Sequence, residues 1–484
     1  MMSKIVKTVA LLLLFWAQLD AHSGKPKYHV IIDTDGALDD LRAITMLLAE
    51  NDIRVLAITC SQGTLLPDSV HQKVRSLLAT YHHEGIPIGT GKEIDRELPA
   101  WSSFAQLIDW GATNPDNSLA DRVNAMELLS RTLKNYHDEI TLIALGSLKT
   151  YVDWLNASPD VIPKIERIIW YNDQEVESGF NYKLSPESYD KIHQSDIPLD
   201  IISANSGKSL INKTYLETLS EGKSLYAHQI LSVHEQPGVE ERINQGHMQL
   251  WDDLIPIYLA VPLFFQVDKT DNNIRFISLS KGITDFMLYH TIRDLLESSA
   301  ATNNRVFDHF PVDSSLYKPE YAAMMQETIE KFGLIEWKAI CMTNEIHGHT
   351  GIYSIIGAKM GIRAMEYFNV GINNLSVVTF AGNTPPLSCF NDGIQISTGS
   401  TIGQGLIRIA DSISTIPSAI FQCNDQKVTI SLRPDIAERM KEEIKYGVQQ
   451  FGLHDDRYWL YIEKLAIEYW YSFNRYDIFN IIPQ

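Results

Sequence analysis

The stretch YHVIIDTDGALDD, Tyr28 to Asp40, ends an apolar run in four carboxylates within eight positions: Asp33, Asp35, Asp39 and Asp40. Two carboxylates about 4 Å apart repel by roughly 4 kcal/mol at an effective dielectric of 20. Four together require a cation, a shared proton or extensive solvation. Acidic residues are favourable in the first turn of a helix, and Asp39 and Asp40 open the helical pattern LRAITMLLAE. That accounts for two of the four and leaves Asp33 and Asp35 unexplained. An EF-hand loop is excluded, because the twelfth position counted from Asp33 is Ile44, where a bidentate Glu is needed.

The elements that must carry these carboxylates are legible as alternating patterns. YHVII, RVLAIT, IPIGTG, ITLIALG, ERIIWY and LDIISA read as strands; DDLRAITMLLAE, DSVHQKVRSLLATYHH and LKTYVDWLNA read as helices. This alternation predicts an α/β fold, a mostly parallel open sheet with helices on both faces, over residues 25–300. Open sheets of this kind bind ligands at the carboxyl ends of their strands, which is where YHVII delivers its aspartates. Residues 301–320 are polar and irregular and read as a linker. A smaller α+β domain with a helical tail follows over 321–484.

Lys4 and Lys7 precede the apolar run TVALLLLFWA, and LDA ends at Ala21. The run is too short to span a bilayer and reads as a secretory signal peptide over residues 1–21. The expectation is an exported protein, periplasmic or secreted, with no membrane segment after cleavage. With 60 acidic against 41 basic residues, the formal net charge is −19. Such a chain repels phosphate backbones, so nucleic acid is an improbable partner and a small molecule the expected one. Self-association is left open. Cys60, Cys341, Cys389 and Cys423 are too scattered to define a disulfide framework.

Two families share a strand followed by such an aspartate motif. One is the haloacid-dehalogenase-like phosphatases, in which Asp33 would be the nucleophile and Asp35 the acid/base. The other is the nucleoside hydrolases, with Asp-x-Asp-x-Gly-x-Asp-Asp, where Gly36-Ala37 stands in place of the usual Pro-Gly. Three downstream segments favour the second. LIALGSLKTYVDWL resembles that family's Gly-Pro-Leu-Thr-Asn segment. SGFNYKLSPESY resembles Ala-Glu-Phe-Asn with a later Pro-Glu. LWDDLIPIYLAVPLFF resembles the His-Asp-Pro segment before a helix ending in Pro-x-Leu-Phe.

The resemblance implies one Ca²⁺ held by Asp35, Asp40, Asp252 and the backbone carbonyl of Lys149, with water and substrate oxygens completing the shell. It implies Asp35 as the general base toward a water acidified by the metal. Asp39, Asn181 and Gln62 (in place of a family Asn) would contact the sugar, and Asp33 would support the loop. Trp251 stands where many members carry a His that protonates the leaving base. This resembles the purine-preferring branch, in which the base stacks between tryptophans; Trp110, or less favourably Trp101, would supply the second face. Gly179 replaces a Glu that contacts the 5′ end, with Glu175 or Glu177 as candidate substitutes. The implied activity is N-glycosidic hydrolysis of a nucleoside or related ribosyl compound. A phosphatase using Asp33 and a non-catalytic ribosyl-binding module are the competing readings.

In the second region, HGHTGIYSIIGAKMGIRAMEYF and SCFNDGIQISTGSTIGQG resemble the E-type domains associated with formylmethanofuran dehydrogenase. His347, His349, Cys389 and Asp392 remain from that pattern, while Gly351 and Ser400 replace cysteines. Imidazole and thiolate suit Zn²⁺, so a reduced metal site at His347, His349 and Cys389 stands against a pocket that has lost its metal.

Overall fold

The computed structural model describes residues 26–111, 122–134, 136–204, 210–298 and 306–484. The expected signal peptide therefore lies outside the described residues, and no described helix is long and apolar enough to cross a membrane.

Nine strands form the first sheet: β1 (Tyr28–Thr34), β2 (Ile53–Cys60), β3 (Ile88–Thr90), β4 (Val123–Asn124), β5 (Ile140–Ala144), β6 (Ile165–Tyr171), β7 (Leu199–Ile202), β8 (Phe265–Asp271) and β9 (Ile274–Leu279). Their order is β4-β3-β2-β1-β5-β6-β7-β9-β8. All neighbours run parallel except the β8–β9 pair. Val30 to Thr34 of β1 are all buried, as expected of a central parallel strand covered on both faces. The chain leaves β1 for β2 on one side and returns to β5 on the other. That reversal of strand order is the switch point at which open α/β sheets leave a crevice beyond the strand ends.

Helix α1 (Leu38–Ala49) follows β1, and every one of its residues except Asp39 is buried. Its apolar residues lie on every side, so it is enclosed by the rest of the unit. Its one internal cation, Arg42, is fully buried and meets both carboxylate oxygens of Asp253 at 2.8 and 2.7 Å. Helix α2 (Pro67–Thr80) follows β2. Helix α3 (Pro237–Asn244) and helix α4 (Leu254–Ala260) bracket the segment that carries Trp251 and Asp252.

The second unit packs α5 (Leu334–His347), α6 (Ile352–Phe368) and α7 (Phe390–Thr398) against a five-stranded sheet. Its strands are β10 (Ser376–Thr379), β11 (Ile407–Ile409), β12 (Ser418–Cys423), β13 (Gln426–Leu432) and β14 (Phe479–Pro483). The order is β11-β10-β12-β13-β14. It meets the first unit at the turn after α2. Gly85 N–H donates to the Tyr367 carbonyl at 2.8 Å, and Arg363 reaches both oxygens of Glu84 at 3.0 Å. His82 stacks on Tyr476 with ring centroids 3.7 Å apart. A 14-residue helix is about 21 Å long, so this contact lies a helix length from the loop that precedes Pro67.

Candidate active site

A cavity of about 380 Å³ opens at the switch point, within the usual size for a small-molecule site. Asp35, Asp39, Asp40 and Asp252 form its floor. Leu145, Tyr171, Asn172 and Asp173 line it from the ends of β5 and β6, and Trp101, Phe104, Phe180 and Trp251 give it aromatic walls.

The backbone around the carboxylates explains how they are held. Gly36 takes φ +85°, a conformation an L side chain rarely adopts. The turn it makes lets Asp40 Oδ2 accept from Thr34 Oγ1 at 2.6 Å and from the N–H groups of Asp35 and Gly36 at 2.9 and 3.2 Å. Asp35 lies in a slot made by Gly63: a Cβ there would fall 2.1 Å from Asp35 Oδ2. Asp252 is brought in by its neighbour, since the Asp253–Arg42 pair ties residues 249–253 to α1. One oxygen each of Asp39, Asp40 and Asp252 lie within 4.8 Å of one another. Asp35 Oδ1 and Asp252 Oδ1 are buried and have no hydrogen-bond partner.

Buried polar atoms almost always have partners, so these two oxygens mark an incomplete shell. Burial, aggravated by the charge of Asp40, pushes the Asp35 and Asp252 carboxyls well above the usual range; Asp39 rises to about 7 for the same reasons. The crowding therefore disfavours four free charges and favours a hard cation, whose oxygen ligands these would be.

Asp33 does something else. It is fully buried, and its two oxygens accept from Thr59 Oγ1 at 2.6 Å and Ser61 Oγ at 2.7 Å. It clamps the ends of β1 and β2 together and does not line the cavity. The phosphatase reading needs Asp33 as an exposed nucleophile and is corrected by this burial.

Residues 30–313 match the family model for inosine-uridine preferring nucleoside hydrolase. The chain belongs to that family. As a nucleoside hydrolase family member it is similar to the pyrimidine-specific ribonucleoside hydrolase RihA of Salmonella arizonae. The two are 30% identical over 181 residues, covering 35% of this chain and 58% of the relative. RihA of Shewanella baltica is 28% identical, over 35% of this chain and 57% of that one. The chain thus spans less than two thirds of the length of the curated relatives it matches. Among solved structures, a plant nucleoside hydrolase has TM-score 0.47 at 17% identity, covering 56% of this chain and 99% of the other. An inosine-uridine preferring nucleoside hydrolase from Bacillus anthracis has TM-score 0.45 at 15% identity, with the same coverage. Residues 346–455 match a second model, FmdE, of the molybdenum formylmethanofuran dehydrogenase operon.

Several site residues expected of a nucleoside hydrolase stand elsewhere. Trp110 is buried in the core and does not line the cavity; Trp101 does, with its indole N–H 3.3 Å from Thr64 Oγ1 and its ring edge-on to Phe180. Gln62 is also outside the cavity lining. Its amide donates to the Arg96 carbonyl at 3.0 Å and accepts from Ile94 N–H at 2.7 Å, pinning that loop. Lys149 opens the helix Lys149–Ala157 and is absent from the cavity lining; its ammonium lies 2.9 Å from Asp153, a pairing that does not involve the backbone carbonyl expected as a ligand. Asn181 does line it, but its amide N–H groups already donate to the carbonyls of Leu145 and Tyr171 at 2.8 and 3.1 Å. Gly179 is matched to Asn172: a Cβ at 179 would lie 2.0 Å from Asn172 Oδ1. The carboxylate lining this corner is Asp173, not Glu175 or Glu177.

Arg242, His247, Tyr171 and Phe104 also line the cavity, and nothing in their sequence spacing marks them. In the second unit, His347 Nδ1 lies 3.0 Å from Asp392, and the His347 and His349 rings are 4.2 Å apart. Cys389 does not complete a three-ligand group with them; among the described residues the aspartates alone form one.

Proposed function

We propose that this chain is an exported, calcium-dependent hydrolase of the N-glycosidic bond of a nucleoside or related ribosyl compound. The observation that carries the reading is the pair of buried, unpartnered oxygens on Asp35 and Asp252, on the floor of an aromatic-walled cavity. Asp40 and Asp252 belong both to the sequence-derived ligand set and to the geometric cluster. They would hold the ion, with Asp35 and Asp39 beside them. When bound, calcium offsets the carboxylate charge and lowers the pKa of an adjacent water.

Asp35 acts as general base. Burial and the Asp40 charge disfavour a bare carboxylate at this position; with calcium offsetting that crowding, Asp35 is the carboxylate that takes a proton from water, and such help contributes roughly 10²- to 10⁴-fold. Asp39 accepts hydrogen bonds from ribose hydroxyls. Asn181, its donors committed to backbone carbonyls, presents its amide oxygen. Trp251 and Trp101 flank the base, and in stacking on it they raise its proton affinity, so that solvent supplies the leaving-group proton. The RihA relatives are named as ribonucleoside hydrolases, which supports a ribosyl substrate here.

The test is release of free base from inosine and uridine by the full chain with and without Ca²⁺. The reading expects calcium-dependent release that Asp35→Ala abolishes. No release from either nucleoside by calcium-loaded protein would defeat it. Export is checked by cell fractionation with N-terminal sequencing, where a mature start after Ala21 is expected.

A further inference from the structure

We infer that Arg242 reads the leaving group, and that the preferred aglycone is an acidic heterocycle, one carrying a carboxylate or ionised at neutral pH. This deepens the hydrolase reading above and rests on it.

The cavity is acidic on its floor and cationic at one point of its wall. Among the described residues, Arg242 is, apart from His247, the sole basic side chain lining it. Its guanidinium carbon lies 3.9 Å from the centre of the Phe104 ring. Among the described residues it makes no ion pair and its side chain no hydrogen bond, in a chain with 60 acidic residues available to supply one. The local backbone holds it there. Gly246 at φ +70° ends α3 with its N–H on the Ile243 carbonyl at 3.0 Å, and His247 N–H returns to the Arg242 carbonyl at 2.9 Å. That cap faces Arg242 and His247 toward one rim.

Phe104 belongs to the same wall as Trp101, so the cation borders the aromatic compartment and not the carboxylate floor that suits ribose hydroxyls. Guanidinium carries five donors, no acceptor and a permanent charge. Its stacked face leaves the N–H edge for a planar acceptor, ideally a carboxylate met two-pronged. In the reaction, water's oxygen bonds to C1′, its proton passes to Asp35, and the C1′–N electron pair departs with the base. Solvent supplies the proton to that base, and Arg242 meets the fixed negative charge of an acidic aglycone, a contact that a neutral base does not make.

The experiment compares kcat/KM of the calcium-loaded full chain for orotidine against uridine and for xanthosine against inosine, with uridine 5′-monophosphate as a third arm, in the native protein and in Arg242→Gln. Expected is a preference of about 10- to 100-fold for the acidic member of each pair, the size of one charged hydrogen bond. Arg242→Gln should collapse that ratio toward one. Equal ratios in native and variant protein would overturn the inference, as would a preference for the neutral members. A preference for the 5′-monophosphate would overturn it too, by moving the anion to the sugar. Turnover of none of the five compounds would defeat the hydrolase reading itself; normal turnover of uridine and inosine with an unmoved ratio would defeat Arg242's role alone.

Discussion

Replacing His83 with Gln should flatten the acid side of the stability profile. His83 is 4% exposed where the two units meet, with Nδ1 2.6 Å from the Glu366 carbonyl and Nε2 2.5 Å from Tyr226 Oη. A carbonyl can only accept, so Nδ1 carries the proton, and neutral Nε2 accepts from the tyrosine hydroxyl. Burial pushes the His83 pKa down from 6.5 to about 4. As pH falls below 6.5 the unfolded chain takes up its proton first. His83's contribution to stability is therefore complete above pH 6.5 and is lost progressively toward pH 4. At 1.36 kcal/mol per unit, the 1.5 units between 6.5 and 5.0 amount to about 2 kcal/mol. Urea titrations at pH 7.5 and 5.0, followed by tryptophan fluorescence, measure this. The native protein should lose about 2 kcal/mol more than His83→Gln over that interval, with His71 and His234, also held low by burial, contributing equally to both. Equal losses in the two proteins would refute the assignment of this linkage to His83.

Gly63→Ala places a methyl group against the Asp35 carboxylate, so kcat for base release should fall about 100-fold, the cost of misplacing a reacting group by about 1 Å; urea midpoints report whether the fold is kept. Arg42→Met leaves Asp253 buried without its partner and should destabilise by about 3–5 kcal/mol in denaturant titration. Trp101→Ala should reduce kcat/KM for nucleosides about tenfold or more through lost stacking, whereas Trp110→Phe, a core change, should alter urea midpoint and leave KM within about twofold.

The aspartate cluster was legible because its signal is local: a strand pattern delivers it, and like charges at that spacing have few physical solutions. Asp252 and Asn181 were legible through resemblance, since each lies in a segment with its own pattern. Trp101 and Trp110 are nine residues apart and equally aromatic. Which one faces the cavity depends on how the short helix Ser102–Leu107 is set against α3, and that is decided by tertiary packing. Gln62 reads as a sugar contact for the same reason, because its loop partners at Ile94 and Arg96 are distant in sequence. The Arg42–Asp253 pair joins residues 211 positions apart. Nothing in the local pattern around Arg42 marks it as the buried pin that sets Asp252. Strand β8 is silent in the sequence because it is a polar, exposed edge strand, without the β-branched run that marks its buried neighbours. The reduced histidine–cysteine pattern of the second unit keeps its residue types, and among the described residues they do not come together as a three-ligand group.

Calcium titration of the chelator-treated full chain, followed by calorimetry, tests most directly whether the carboxylate crowding exists for a cation. One ion per chain is expected, with affinity at least about 100-fold weaker in Asp40→Asn and Asp252→Asn and little changed in Asp173→Asn at the rim. Absence of calcium binding to the native protein, or binding that Asp40→Asn and Asp252→Asn leave intact, would contradict the account.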